Sequence, residues 1–401
     1  MRVLQVTREH HADKRYGLGR SVLQLNAGLQ RAGVATGYFC TGDLSDTARA
    51  VAAERAAYWN ASLGLALQPL LDIVSLAWET GAQAAREVQR GAYTHVHFHD
   101  AVLAHGFLSQ AGAEARPFGT TQHSFDSVAE GLDRYIAPLP GVLKDILTSA
   151  ERFVLAQARW CTFMTSLGAA KVARDLQLAG PPAHWQVIPH GRPDWQLESR
   201  ADARRRLGWG ADDRIVLAVG QIIPLKRFEW VVGAMASVPG AWRLVILGEG
   251  DPAPLYRIAD AAGLARPLIT STDDPRPYYA AADVFTSASA TESFGMAHLE
   301  AMLAGLPMAC TAVGGVPEVV GDAALLLADD EPAYAAGLHA LLADAARRAE
   351  LARRALDRGA RWPGIDEVAL RHLQCYGSGR PGAGARRAAT PRWTPCAAWP
   401  C

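Results

Sequence analysis

The sequence predicts an α/β chain made of two parallel-sheet units in series. Three observations carry that reading. Short, nearly continuous apolar runs alternate with longer helical stretches, the pattern of parallel strands covered by helices on both faces. The alternation occurs twice along the 401 residues, a length that accommodates two domains of roughly 150 residues or more. Between the two sets lies Pro189-His-Gly-Arg-Pro-Asp194, whose proline and glycine density reads as a hinge.

The elements follow in order. Val3–Thr7 is the first strand. Gly19–Ala32 is a helix with apolar Val22, Leu25 and Leu29 on one face, ended by Gly33. Strands follow at Ala35–Cys40, Thr94–His99, Phe118–Thr121, Cys161–Thr165 and Trp185–Ile188. The second set holds strands at Ile215–Val219, Trp242–Leu247, Pro267–Thr270, Asp283–Thr286, Pro307–Thr311 and Ala324–Leu327. Helices fall between them at about Phe228–Ser237, Pro254–Ala262, Pro275–Ala281 and Gly295–Ala304. From Pro332 the chain is Ala-, Arg- and Leu-rich and helical to Gly359, and Trp362–Tyr376 forms one more helix. The Gly-, Pro-, Ala- and Arg-rich stretch 377–401 has no periodicity and reads as a disordered tail.

Composition narrows the functional classes. Half the residues are hydrophobic and 20% are charged, which excludes disorder for most of the chain. Forty basic residues balance forty acidic ones, so nothing calls for a nucleic-acid partner. No long uncharged apolar run is present. The nearest, Trp59–Trp78, contains Pro69 and Asp72 and reads as a buried or interfacial helix that allows at most a weak peripheral membrane contact. The first seven residues turn polar too quickly for a leader peptide. Six scattered cysteines, without C-x-x-C spacing, fit a reducing cytoplasm.

Four constellations carry chemistry. The loop Tyr16-Gly17-Leu18-Gly19-Arg20-Ser21 lies between a strand and a helix, where glycine lets the backbone approach a ligand and the helix start presents N–H groups to an anion. It is not G-x-G-x-x-G, which disfavours a dinucleotide. Gly220-Gln-Ile-Ile-Pro-Leu-Lys226-Arg227 places two cations after a strand's carboxyl end, where they can grip a pyrophosphate. Such charges oppose the dipole of the helix they precede, so a bound anion explains them. In Thr291-Glu292-Ser293-Phe294-Gly295-Met296-Ala297-His298-Leu299-Glu300, Ser293 is the expected helix cap. The N–H groups of Phe294 to Met296 suit a phosphate, Glu300 suits the vicinal hydroxyls of a ribose, and Glu292 a hydroxylated group beyond the phosphate. Finally, His95, His97 and His99 alternate on one strand face, and His123 follows the next strand toward the ligand crevice. No cysteine or carboxylate spacing supports a metal at the three alternating histidines.

Taken together these segments resemble the family 4 glycosyltransferases. The carriers also include Ile188-Pro-His-Gly191, Leu247-Gly-Glu-Gly-Asp251, Tyr279-Ala-Ala-Ala-Asp283 and Gly314-Gly-Val-Pro-Glu318, and the Glu292/Glu300 pair matches that family's E-x7-E signature. The resemblance implies a GT-B fold: an N-terminal Rossmann-like, acceptor-side domain (1–190), a C-terminal nucleotide-sugar domain (191–360) and a helix returning to the first domain (361–376), with a deep cleft between the domains. It implies a retaining, metal-independent hexosyltransferase without a cofactor. The donor would be a nucleotide-diphosphate sugar, with UDP favoured and GDP next. The acceptor would be a glycan, a lipid-linked compound or a small molecule. An epimerase or phosphorylase-like enzyme on the same fold is the alternative.

Carried over, Glu300 would bind the ribose, and Lys226 with Arg227 the diphosphate. Ser293, Phe294, Gly295 and Met296 would meet phosphate, and Glu292 the donor sugar. His123 would lie beside the reacting centre, and Gly17 and Gly19 would approach from the first domain. The sequence departs from the pattern at Tyr16, where a glycine is usual, at Gln221, where an arginine is frequent, and at His190, where asparagine is more usual.

Overall fold

The computed structural model describes residues 1–10, 17–64, 66–110, 116–238 and 240–377. The expected tail lies outside these apart from Gly377, as does Tyr16.

Among the described residues the first sheet comprises β1 (Arg2–Thr7), β2 (Ala35–Cys40), β3 (His95–Phe98), β4 (Phe118–Gln122), β5 (Cys161–Phe163) and β6 (Trp185–Val187). They lie in the order β2-β1-β3-β4-β5-β6, every pair parallel. Its helices are α1 (Gly17–Arg31), α2 (Asp46–Ser62), α3 (Gln68–Arg90), α4 (Ala101–Leu108), α5 (Val128–Tyr135), α6 (Gly141–Gln157) and α7 (Ser166–Asp175). The second unit runs α8 (Arg200–Leu207), β7 (Arg214–Val219), α9 (Phe228–Met235), β8 (Trp242–Leu247), α10 (Ala253–Ala261), β9 (Leu268–Thr270), α11 (Arg276–Ala281) and β10 (Val284–Ser287). It continues with α12 (Met296–Leu303), β11 (Met308–Thr311), α13 (Val316–Val320), β12 (Ala324–Leu327), α14 (Glu331–Ala343) and α15 (Ala345–Ala360).

The second sheet has the order β12-β11-β10-β7-β8-β9, again wholly parallel. That is the doubly wound Rossmann order, in which ligands sit beyond the carboxyl ends of the strands where the winding reverses. The reversal falls between β7 and β10. The loops that leave those two strands carry Lys226 and Glu292.

Burial follows the sequence. β7 reads Arg-Ile-Val-Leu-Ala-Val, and its middle is buried because helices cover both faces. Ile215 and Leu217 pack toward Phe285, Leu299 and Met302. Val216 and Ala218 pack toward Val231, Val232 and Leu338 on the opposite side. The last helix, α16 (Ile365–Gly377), returns to α1. A Cβ on Gly28 would come within 2.7 Å of Ala369 Cβ, so the two helices meet backbone to backbone. Val368, Ala369, Cys375 and Tyr376 join Val3, Leu25, Leu29 and Trp160 in one cluster.

Two helical readings need correction. Trp59–Trp78 is not one helix: α2 ends at Ser62, Gly64 has φ +60°, and α3 starts at Gln68 with Pro69 in its first turn, where proline's missing N–H costs nothing. The helical run from Pro332 also breaks at Asp344, which closes α14 and caps α15 by accepting from Arg347 N at 2.8 Å. Among the described residues no helix is long and apolar enough to cross a membrane.

Glu151 on α6 is buried beside an apolar hollow of about 110 Å³ lined also by Trp59 and Trp78. Burial pushes its carboxyl up to about 8, against the hydrogen bond it accepts from Val128 N at 2.7 Å. A raised carboxyl favours the folded state below the unfolded value of 4.5 and loses that contribution as pH rises through about 8. Glu151→Gln keeps the acceptor without the charge. Its melting temperature is therefore expected to exceed wild type increasingly between pH 4.5 and 8 and by a constant margin above that. The gap widens by at most about 1.4 kcal/mol per pH unit. Calorimetric scans across that range check it.

Candidate active site

The loop after β7 opens with Gly220, φ +152°. A Cβ on Gly248 would fall 1.8 Å from the Gly220 carbonyl oxygen, so the loops after β7 and β8 touch through bare backbone. A short 3-10 turn, Pro224–Lys226, then points Lys226 at the loop after β10, to which it is tied by Ala290 N donating to Leu225 O at 2.8 Å. Lys226 Nζ lies 2.5 Å from Glu292 Oε1, which also accepts from Ser289 Oγ at 3.0 Å. Gly315 N holds the Glu292 carbonyl at 2.8 Å. Gly314, at φ +54°, passes so close that a Cβ there would stand 2.0 Å from the same oxygen. Burial alone would raise the Glu292 carboxyl. The Lys226 ammonium, the neighbouring His298 and the two hydrogen bonds outweigh it and hold the group below its ordinary value.

α12 begins at Gly295, whose φ of +88° makes it the cap. This corrects the expected Ser293 cap: no side chain caps the helix, and its first N–H groups, without intrahelical partners, open on the cleft. Glu300, a turn further on, is 2% exposed. Its Oε2 accepts from Tyr279 Oη at 2.8 Å, and its Oε1 stands 3.5 Å from Arg20 Nη2 of the first unit. Burial raises its carboxyl above the usual value, with Arg20 and the Tyr279 hydroxyl opposing.

These groups share one cleft of about 720 Å³ between the two units. His123, Gln221, Lys226, Glu292, Ser293, Phe294, Gly295, Met296 and Glu300 all line it, as expected of them. From the first unit Leu18, between Gly17 and Gly19, and Arg20 line it. Arg227 requires a correction too. Its backbone is left-handed, φ +47°, which turns the side chain away to pair with Asp329 and stack 4.3 Å from the Trp230 ring. It does not take the place of the absent arginine at position 221. Among the described residues, Lys226 and Arg20 are therefore the lysine and arginine lining the cleft.

Arg20, Tyr279 and the neutral ring of His190 were not foreseen as site residues. The His190 and His123 rings stack at 5.6 Å, and His190 meets Phe294 edge-on at 5.0 Å. Burial lowers the His190 imidazole to about 4. The units are also clamped at α7, where Glu318 accepts from Ser166 N, Ser166 Oγ and Leu167 N at 2.9, 2.7 and 3.1 Å. Among the described residues no group of three or more His, Cys, Asp or Glu side chains converges to hold a metal, the His95–His97–His99 series included.

Two parallel doubly wound sheets facing a polar cleft, with a terminal helix crossing back, define the GT-B class of fold. Comparison with known proteins agrees. The sequence profile described as Glycosyltransferase Family 4 matches residues 16–194, and that described as Glycosyl transferases group 1 matches residues 213–344. The chain belongs to the family 4 glycosyltransferases.

A curated relative, D-inositol 3-phosphate glycosyltransferase of Mycobacterium tuberculosis, is 30% identical over 274 residues, 63% of this chain. The match takes in 55% of that relative, so the chain spans about half the length of the curated relatives it matches. Among solved structures, sucrose-phosphate synthase from Thermosynechococcus elongatus superposes with a TM-score of 0.73 at 21% identity, covering 94% of this chain and 99% of the other. Anabaena HepE in complex with UDP gives 0.71 at 16% identity, covering 94% and 100%. At these identities the likeness concerns the fold.

Proposed function

We propose that this chain transfers a hexosyl group from a nucleotide-diphosphate sugar, UDP-linked in preference to GDP-linked, to a hydroxyl acceptor, with retention at the anomeric carbon and without a metal. The observation that carries the proposal is the convergence of Lys226, Glu292, the open start of α12 and Glu300 in one cleft. Bond breaking between sugar and diphosphate builds negative charge on the leaving group. Lys226 has three donor hydrogens, of which Glu292 engages one, so the ammonium is held in place with donors to spare. With the N–H groups of Phe294, Gly295 and Met296 it forms a fixed, preoriented environment for that charge.

Glu300 Oε1 then serves the ribose, steadied by Tyr279 and Arg20. Glu292 and Ser293 face the sugar side, and Gln221 lies beside the diphosphate. Residues 191–360 serve as the donor side, 1–190 as the acceptor side, and 361–376 as the helix that ties them. The UDP complex of the structural neighbour supports a uridine donor. The mycobacterial relative's name supports a small polyol acceptor ahead of a glycan or lipid-linked one. A thermal-shift screen of UDP-, GDP- and dTDP-sugars tests the donor, since a ligand bound only by the folded chain raises its melting temperature. Equal response to all three, or to none, refutes the donor assignment.

A further inference from the structure

We propose that Glu318 is a positioning residue for the transfer: its carboxylate seats the first unit on the turn that holds Glu292, so that the groups of the two units meet across the cleft in one register. The inference rests on the proposed function in taking that cleft as the place of transfer.

The first N–H groups of a helix have no acceptor within it. In α7 the Thr165 side chain takes one of them, accepting from Gly168 N at 3.1 Å. Ser166 N and Leu167 N are satisfied from the other unit, by the Glu318 carboxylate at 2.9 and 3.1 Å. Ser166 Oγ donates to the same carboxylate at 2.7 Å. A negative group is favoured at a helix start, where the dipole presents its positive end, and hydrogen bonds to an ionised acceptor are the stronger kind. An apolar contact backs them. Met164, next to Thr165 in the first unit, is 5% exposed and belongs to the cluster that holds Phe294 and Val316 of the second.

The carboxylate stands on a fixed mount. Arg358 of α15 holds two carbonyls of α13, its Nε donating to Val319 O at 2.6 Å and its Nη2 to Glu318 O at 2.7 Å. At the start of α13, Gly315 N donates to the Glu292 carbonyl at 2.8 Å. Gly315 also touches both units. A Cβ there would stand 2.3 Å from the Ser293 carbonyl oxygen and 2.9 Å from Thr165 Cγ2. Only bare backbone fits between the cap of α7 and the loop that carries Glu292. The seat of the first unit and the support of Glu292 are thus one short segment, Gly314 to Glu318.

The consequence is a division of labour. Lys226, Glu292, the start of α12 and Glu300 are assembled within the second unit, whereas His123 and Arg20 reach the cleft from the first. The distance between the two sets depends on how the units are seated. A misplacement of about 1 Å far from the chemistry can cost on the order of 10²-fold in rate. Loss of Glu318 therefore acts on the reaction rather than on nucleotide binding.

The test compares wild type with Glu318→Ala and Glu318→Gln. α7 keeps its Thr165 cap in both variants, so the fold is expected to persist. For Glu318→Ala the expected results are a larger radius of gyration by small-angle X-ray scattering, kcat for UDP-glucose lowered about tenfold to a hundredfold, and UDP affinity by calorimetry unchanged. Glu318→Gln keeps an acceptor without the charge and is expected to fall between the two. An unaltered radius or an unaltered kcat in Glu318→Ala overturns the proposal. A loss of kcat matched by an equal loss of UDP affinity also overturns it, because that is what general damage to the fold would give. The scattering needs no donor. A wild type that neither binds UDP nor turns over UDP-glucose would count against the proposed function, while the radius still decides whether Glu318 seats the units.

Discussion

Lys226→Ala is expected to lower kcat for a UDP-sugar by about 10²–10³, the cost of removing one preoriented donor from a site of developing charge. Two features make this position more sensitive than a surface lysine. The neighbouring cation, Arg227, is held outside the cleft by Asp329 and Trp230 and cannot substitute. Removing the ammonium also leaves Glu292, whose carboxyl lies 2.5 Å from it, as an uncompensated negative charge in the cleft that takes the anionic donor. The double variant Lys226→Ala/Glu292→Gln is therefore expected to bind UDP better than Lys226→Ala alone while remaining slow. Steady-state kinetics with UDP titration calorimetry separate the two effects. A single variant that retains wild-type kcat contradicts the role given to Lys226.

The second large effect is expected at Glu300. Hydrogen bonds to a charged group contribute about 1.5–3 kcal/mol, so Glu300→Ala is expected to weaken UDP binding by roughly 10- to 100-fold. The diagnostic is discrimination rather than affinity. Wild type should prefer UDP to 2′-deoxy-UDP, because Glu300 Oε1 would lose a hydroxyl partner, and Glu300→Ala should bind the two alike. The free carboxyl is raised by burial, so UDP affinity is expected to fall as acid protonates it. Equal discrimination in wild type and variant would place the ribose elsewhere.

What the sequence disclosed divides along a physical line. Local signals were legible. The apolar run of β7 followed by Gly220, and the carboxylates flanking Gly295, announce a strand end and a helix start whose backbone groups need a ligand. Long-range pairings were not. Arg20 and Glu300 meet across the cleft, and Tyr376 meets His97 although 279 positions separate them in sequence.

Neighbouring residues can also diverge in ways composition does not reveal. Lys226 and Arg227 read as a matched pair, yet the left-handed backbone at Arg227 sends it to the opposite side. Ser293 has the right side chain for a cap, but the φ of +88° at Gly295 moves the helix start two residues on. Each error lies in a backbone angle, which residue identity constrains only weakly outside glycine and proline.

Hydrogen–deuterium exchange of the chain with and without saturating UDP locates the nucleotide most directly. The expected result is protection concentrated at Gly220–Lys226 and at Ser293–Glu300, with the apolar hollow around Trp59 and Trp78 unchanged. Protection absent from both loops, or appearing at other surfaces instead, would show that the anion is held somewhere else and that the cleft has been misassigned.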